Sequence, residues 1–145
     1  MEFSRNLVIN ASTDHLAEVR EFTGRHAEQA GLNRKAISEL QLAVDEACTN
    51  IIKHAYNYDQ RQKVIITADP TGDGIRITLR HEGRPFDPEL YSKPDLRQQI
   101  SRKKRGGVGV WLMETLMDRV EFVRKAEYNE IHLIKHRQSS ERDPE

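Results

Sequence analysis

Glu46, Thr49, Asn50 and Lys53 follow one another at steps of three and four residues, the spacing that brings side chains onto one face of a helix. A carboxylate one turn away from a carboxamide, at the partly exposed rim of a core, has two chemical capacities. The amide oxygen is a hard ligand of the kind Mg²⁺ takes, and the carboxylate accepts a proton from an attacking hydroxyl or water. Further along, Gly106-Gly107-Val108-Gly109 meets the apolar segment Val110-Trp111-Leu112-Met113. Glycines let a backbone come close to a phosphate, and a helix N-terminus offers free N–H donors and the positive end of its dipole. The basic run Arg102-Lys103-Lys104-Arg105 stands directly before those glycines, where it meets a phosphate chain, meets an acidic protein surface or is simply solvated. Between the two groups lies His81-Glu82-Gly83-Arg84-Pro85-Phe86-Asp87-Pro88, in which Gly83 permits a sharp turn. Taken singly, each feature has an ordinary structural explanation: a solvated helix flank, a tight turn, a core histidine. What is specific is their order, Glu-x-x-x-Asn on a helix, then a strand ending in x-x-Gly-x-Pro-Phe, then Gly-Gly-x-Gly at a helix start.

The elements that must position these residues are readable from periodicity. Phe3, Arg5, Leu7 and Ile9 share one face of an extended opening segment. Ser12 or Thr13 caps a first helix that Gly31 ends, with Leu16, Val19, Phe22 or Thr23, His26 and Ala30 inward. Asn33 caps a second, longer helix to about Tyr56, in which Ile37, Leu40, Val44, Ala47, Ile51 and Ala55 form an amphipathic stripe. Lys63 to Asp69 reads as a strand, 70–74 as a turn, and Ile75, Ile77, Leu79 and His81 as the inner face of the next strand. Residues 82–105, broken by Pro85, Pro88 and Pro94, read as a long loop. A helix from Gly106–Gly109 to about Met117 and two strands, Val120–Lys125 and Glu130–Lys135, complete the series. The predicted fold is α+β: a two-layer sandwich whose mixed, mostly antiparallel sheet is covered on one face by helices. Residues 1–137 make one domain, and the polar residues 138–145 read as a frayed tail.

Composition narrows the function. Lys+Arg and Asp+Glu each count 23, for zero net charge, so the broad positive field of a nucleic-acid binder is missing. No apolar run approaches the ~20 residues that span a bilayer, and residues 1–10 hold no signal-peptide core. The lone cysteine, Cys48, lies beside the apolar stripe and reads as packing; one cysteine forms no internal disulfide and no metal spacing. The expectation is a cytoplasmic protein that neither crosses a membrane nor binds nucleic acid directly.

The series resembles the Bergerat-fold (GHKL, histidine-kinase-like) ATPases, and most of all their anti-sigma-factor serine/threonine kinase branch. Ala43-Val44-Asp45-Glu46-Ala47-Cys48-Thr49-Asn50-Ile51-Ile52-Lys53-His54-Ala55-Tyr56 is similar to that branch's first motif, Gly83-Arg84-Pro85-Phe86-Asp87-Pro88 to its second, and 106–113 to its third. The resemblance covers roughly residues 5 to 135. It implies ATP and Mg²⁺ as cofactors, Asn50 as the Mg²⁺ ligand, Glu46 as the general base for a serine or threonine hydroxyl, and Thr49 near the γ-phosphate. It implies Gly107, Val108 and Gly109 at the phosphates, Arg105 and Gly83 at the nucleotide, and residues 89–105 as an ATP lid. It implies a homodimer that sequesters a sigma factor and phosphorylates an anti-anti-sigma antagonist. One position departs. The family usually has an aspartate at His81, whose carboxylate accepts a hydrogen bond from the adenine amino group. A neutral imidazole has one acceptor nitrogen for that task and a protonated one has none. The alternative is therefore a degenerate, nucleotide-independent binding module of the same fold. The catalytic domain of a histidine kinase ranks below both, because a strand beginning near residue 3 leaves no place for a phosphoacceptor helix. A gyrase- or MutL-type motor requires a further domain.

Overall fold

Period-two and period-3.6 patterns sort the chain into strands and helices in the expected order. The computed structural model describes residues 4–83 and 106–137. Within them run β1 (Asn6–Asn10), a 3₁₀ turn (Thr13–His15), α1 (Leu16–Gln29), α2 (Arg34–Asn50) and a π-helical turn (Ile51–Ala55). Then come β2 (Lys63–Pro70), β3 (Gly74–His81), α3 (Gly106–Leu116), β4 (Arg119–Arg124) and β5 (Asn129–His136). Both predicted caps form. The Asp14 N–H donates to Ser12 Oγ at 3.1 Å and the Ala36 N–H to Asn33 Oδ1 at 2.9 Å, each satisfying a donor that a helix start leaves free. Ser12 starts the 3₁₀ turn, which leads into α1.

The sheet order is β1-β2-β3-β5-β4, and every adjacent pair is antiparallel. The sequence suggested a mixed sheet because a helix joins β3 to β4. Those two strands do run in the same direction, but the β4–β5 hairpin wedges β5 between them, so no parallel ladder forms. On the inner face Val64, Ile66, Ala68, Ile75, Ile77, Leu79, Ile131 and Leu133 are buried. The outer face carries polar pairs such as Thr67–Asn6 at 2.8 Å and Arg80–Glu130 at 3.1 Å, as an antiparallel sheet with one wet side does.

α2 lies on β3 and β5 and is flanked by α1 on one side and α3 on the other. Ala36, Ala43 and Ala47 have no exposed surface; their small side chains let the neighbouring helices come close, while Leu40 and Val44 fill the space beneath. No described helix is long and apolar enough to cross a membrane.

One core position was not foreseen. Lys135 occupies the inner phase of β5, where its neighbours are Ile131 and Leu133, and is 5% exposed. Its ammonium donates to Glu39 Oε1 at 2.8 Å and to the Leu116 carbonyl at 2.6 Å, joining β5 to α2 and capping the last turn of α3. A charge in this position is tolerated only because it is paired and hydrogen-bonded. Lys135→Ala leaves the Glu39 carboxylate and the helix-end carbonyl without this donor. It is expected to lower the unfolding free energy by about 2–3 kcal/mol, the value of hydrogen bonds to a charged group, measured by urea denaturation at neutral pH.

Candidate functional site

The last two turns of α2 carry the polar flank. Glu46 is half-buried, Thr49 is half-buried and Asn50 is 5% exposed. The sequence placed Asn50 on a partly exposed rim; the structure corrects this, because the start of α3 packs over that flank. Asn50 Nδ2 is buried and has no hydrogen-bond partner among the described residues, an unusual state for a buried amide. Burial raises the Glu46 carboxyl above its ordinary range, the adjacent Asp45 charge raises it further, and Lys53 pulls the other way. Asp45 is held by Arg20 of α1 at 2.8 Å.

The structure brings the glycine motif to the same place. A β-carbon on Gly109 would stand 2.8 Å from Glu46 Oε1 and 3.3 Å from Asn50 Nδ2, so glycine is what allows α3 to start directly against these two side chains. The glycines open the helix as expected and form its first turn. Gly106, Gly107 and Val108 therefore stand in the first turn, whose N–H groups an α-helix leaves without internal partners. Arg105 and the rest of the expected lid, residues 89–105, lie outside the described residues.

His81 and Gly83 meet the π-turn and Tyr56 that follow the C-terminal end of α2. His81 ends β3 on the inner face, 1% exposed, between Val64 and Asn129 of the neighbouring strands. Burial holds its imidazole below the ordinary histidine range, with the hydrogen bond to Glu82 opposing. Gly83 has φ +82°, and a β-carbon there would lie 2.9 Å from the Ala55 carbonyl oxygen and 3.1 Å from the Tyr56 ring. Two demands thus fall on one residue: a left-handed backbone and a close approach to backbone atoms.

In the sequence Tyr56 stands at the end of a helix and of the first motif, with no role of its own assigned. Its hydroxyl donates to the Lys63 carbonyl at 2.7 Å and accepts the Glu82 N–H at 2.7 Å, and its ring stands edge-on to His81, centroids 6.0 Å apart. It reaches these partners because the helix widens to a π-turn, in which the Tyr56 N–H bonds to the Ile51 carbonyl at 3.0 Å. The apolar spacing gives no sign of this turn, since Ile51 and Ala55 continue the stripe of α2 at helical steps. Cys48 is packing as expected, with no exposed surface and a thiol pushed up to about 12 by burial.

A profile of the histidine kinase-like ATPase domain matches residues 9–135. The chain belongs to the histidine kinase-like ATPase family. Within it, the serine-protein kinase RsbW of Bacillus subtilis is 32% identical over 117 residues, 77% of this chain and 72% of that protein. RsbW of Bacillus licheniformis is 34% identical over 118 residues, covering 76% and 71%. RsbW of Listeria monocytogenes is 31% identical over 99 residues, covering 66% and 63%. A crystal structure of the RsbU and RsbW domains of a Mycobacterium tuberculosis protein superimposes with a TM-score of 0.62 at 17% identity, over 90% of this chain and 32% of that one. It supports the ATPase-family fold. The resemblance drawn from Glu46–Asn50, Gly83–Pro88 and Gly106–Met113 is thereby borne out at the level of family and branch.

Two outcomes follow from this geometry. Gly109→Ala places a methyl group against the movable end of Glu46. The helix gains up to about 1 kcal/mol from replacing an interior glycine, while the carboxylate is pushed outward into water. The expected result is an unchanged or slightly raised unfolding midpoint together with a Glu46 titration, followed by carboxyl NMR, that moves down toward the ordinary range. His81, depressed in the folded state, takes up its proton more readily when unfolded. Its contribution to stability is present above about pH 6.5, the unperturbed histidine value, and is lost as pH falls below it. Denaturation series from pH 7.5 to 5 are expected to show a steeper loss in wild type than in His81→Gln.

Proposed function

We propose that the chain binds ATP with Mg²⁺ between the end of α2 and the start of α3, and transfers phosphate to a serine or threonine of an antagonist protein. We propose further that, as a homodimer, it holds a sigma factor in complex. The observation that carries the reading is the meeting of Gly109 with Glu46 and Asn50, which joins a base, a metal-type ligand and a helix start in one place. Asn50 fits a cation site through its amide oxygen, a hard ligand, while its buried amide nitrogen, a donor without a partner among the described residues, suits a phosphate oxygen beside the cation. Among the described residues no group of three or more His, Cys, Asp and Glu side chains is placed to hold a metal. A cation at Asn50 would take its other ligands from phosphate oxygens and water, as Mg²⁺ commonly does. When bound, it supplies neutralisation of the phosphate charge.

The chain's own groups do the rest. The free N–H donors of Gly107 and Val108, with Gly109 leaving the backbone open beside them, draw phosphate oxygens to the helix start. The missing side chain at Gly109 leaves room beside Glu46. Glu46, raised above the ordinary carboxyl range by burial, accepts the proton of the attacking hydroxyl, and it does so in its ionised form, so transfer increases as pH rises through its titration. Thr49, half-buried between Glu46 and Asn50 along the helix, is positioned by α2 for the terminal phosphate. Phosphoryl transfer asks a protein mainly for this kind of positioning and charge balance.

A second reading has one observation in its favour. His81 stands where the family usually has aspartate and is 1% exposed, which suits a degenerate module that binds its protein partner without nucleotide. One set of measurements separates the two. Wild type, Asn50→Ala and Glu46→Gln are titrated with a fluorescent ATP analogue with and without Mg²⁺, and incubated with labelled ATP and candidate antagonists. Asn50→Ala removes an amide whose nitrogen has no partner among the described residues, so the fold is expected to stay within about 1 kcal/mol of wild type while Mg²⁺-dependent binding disappears. Glu46→Gln is expected to keep binding and to lose phosphate transfer by roughly 10²–10⁴-fold, the usual size for a general base. Failure of wild type to bind the analogue at any Mg²⁺ concentration establishes the nucleotide-independent module instead.

A further inference from the structure

His81 is one member of a short hydrogen-bonded chain. Its Nδ1 lies 2.9 Å from the Glu82 carbonyl oxygen. A carbonyl only accepts, so Nδ1 carries the hydrogen. In the neutral ring the other nitrogen, Nε2, then has a lone pair and no hydrogen. That atom is buried and has no hydrogen-bond partner among the described residues. The backbone of Glu82 is itself anchored from the opposite side, because its N–H donates to the Tyr56 hydroxyl, which donates onward to the Lys63 carbonyl. Both polar groups of one residue's backbone are thus committed, one to Tyr56 and one to His81.

We propose that Tyr56, acting through the backbone of Glu82, holds His81 in the Nδ1–H tautomer, and that the acceptor left at Nε2 makes the site select a 6-amino purine over a 6-oxo purine. The inference rests on the nucleotide-binding reading above and specifies which base that site takes. An exocyclic amino group donates to Nε2 and satisfies a buried acceptor. A 6-oxo group sets oxygen against nitrogen, two acceptors with no hydrogen between them. The carboxylate usual at this position accepts whatever its surroundings, since an ionised carboxyl has no donor. An imidazole is an acceptor at Nε2 only while something fixes its tautomer, and that is the task assigned to Tyr56, a positioning residue that need not touch the nucleotide. The unpaired state of Nε2 is the second, independent sign that a donor belongs there.

The test begins without nucleotide. Two-bond ¹H–¹⁵N correlation spectra of the full chain identify the His81 tautomer, using His81→Gln for assignment. The proposal expects Nδ1–H in wild type and a mixed or Nε2–H population in Tyr56→Phe, which keeps the ring and loses the hydroxyl. A wild-type ring protonated at Nε2 alone overturns the relay. ATP and ITP, which differ in the 6-amino and 6-oxo group, are then competed against a fluorescent ATP analogue. Wild type is expected to prefer ATP by about tenfold or more, equivalent to about 1.4 kcal/mol. Tyr56→Phe is expected to lose most of that preference, and His81→Ala all of it. In a His81→Asp background, where the acceptor needs no tautomer, Tyr56→Phe is expected to leave the ATP/ITP ratio unchanged; a purely structural role for Tyr56 would weaken both nucleotides in either background. Equal binding of ATP and ITP by wild type overturns the selection. Binding of neither overturns the nucleotide reading and the selection with it, while the tautomer spectrum still decides the relay.

Discussion

Burial of α2 on three sides is the constraint on which the rest of the structure depends. The helix rests on β3 and β5 and is enclosed by α1 and α3, and Ala36, Leu40, Ala43, Val44, Ala47, Cys48 and Ile51 are essentially without exposed surface. A helix so enclosed has little freedom to turn about its axis, because interiors pack at the density of organic crystals and register changes open voids. Its polar flank is therefore aimed by its apolar stripe. Glu46 and Asn50 have fixed positions because Leu40, Val44 and Ala47 do. α3 comes closest to that flank at Gly109, which has no side chain.

Most of this architecture was legible in the sequence for a simple reason: α2, β2, β3 and β5 each repeat one period without interruption, and their caps and turns carry residues of matching chemistry. The meeting of Glu46, Asn50 and Gly109 was legible only through the order of motifs, since nothing in residue spacing alone says that two segments so far apart touch. What escaped the reading has physical causes. Lys135 keeps the alternation of β5 while breaking its polarity, and its partners, Glu39 and the Leu116 carbonyl, come from two other elements. The depth of Asn50 depends on α3 covering it, which no local pattern records. The all-antiparallel sheet depends on β5 entering between β3 and β4, a decision of topology made after both strands are specified.

The two ends of the site are held by different means. At the α3 end, contact is made by removing a side chain, and the groups that meet are the ends of Glu46 and Asn50. At the β3 end, contact is made by backbone hydrogen bonds around Glu82, joined there by the Tyr56 hydroxyl. Asn57 and Tyr58 follow with φ of 51° and 64°. Asparagine adopts that region readily and tyrosine does so seldom. The chain therefore spends some backbone strain directly after Tyr56 to leave the helix and enter β2.

The π-turn at Ile51–Ala55 also has a meaning in terms of reading frame. Five residues to a backbone hydrogen bond where an α-helix uses four amounts to one residue inserted into the helix, and one residue is about 100° of rotation around its axis. Everything before the turn, Glu46 and Asn50 included, keeps the angular phase of α2; everything after it, Tyr56 above all, is displaced by that angle. Shortening the segment by a single residue would restore an ideal helix of better intrinsic geometry. It would also turn Tyr56 away from Lys63 and Glu82. The irregular turn is in this sense a phase shifter, which lets one helix address the start of α3 with one face and the end of β3 with another.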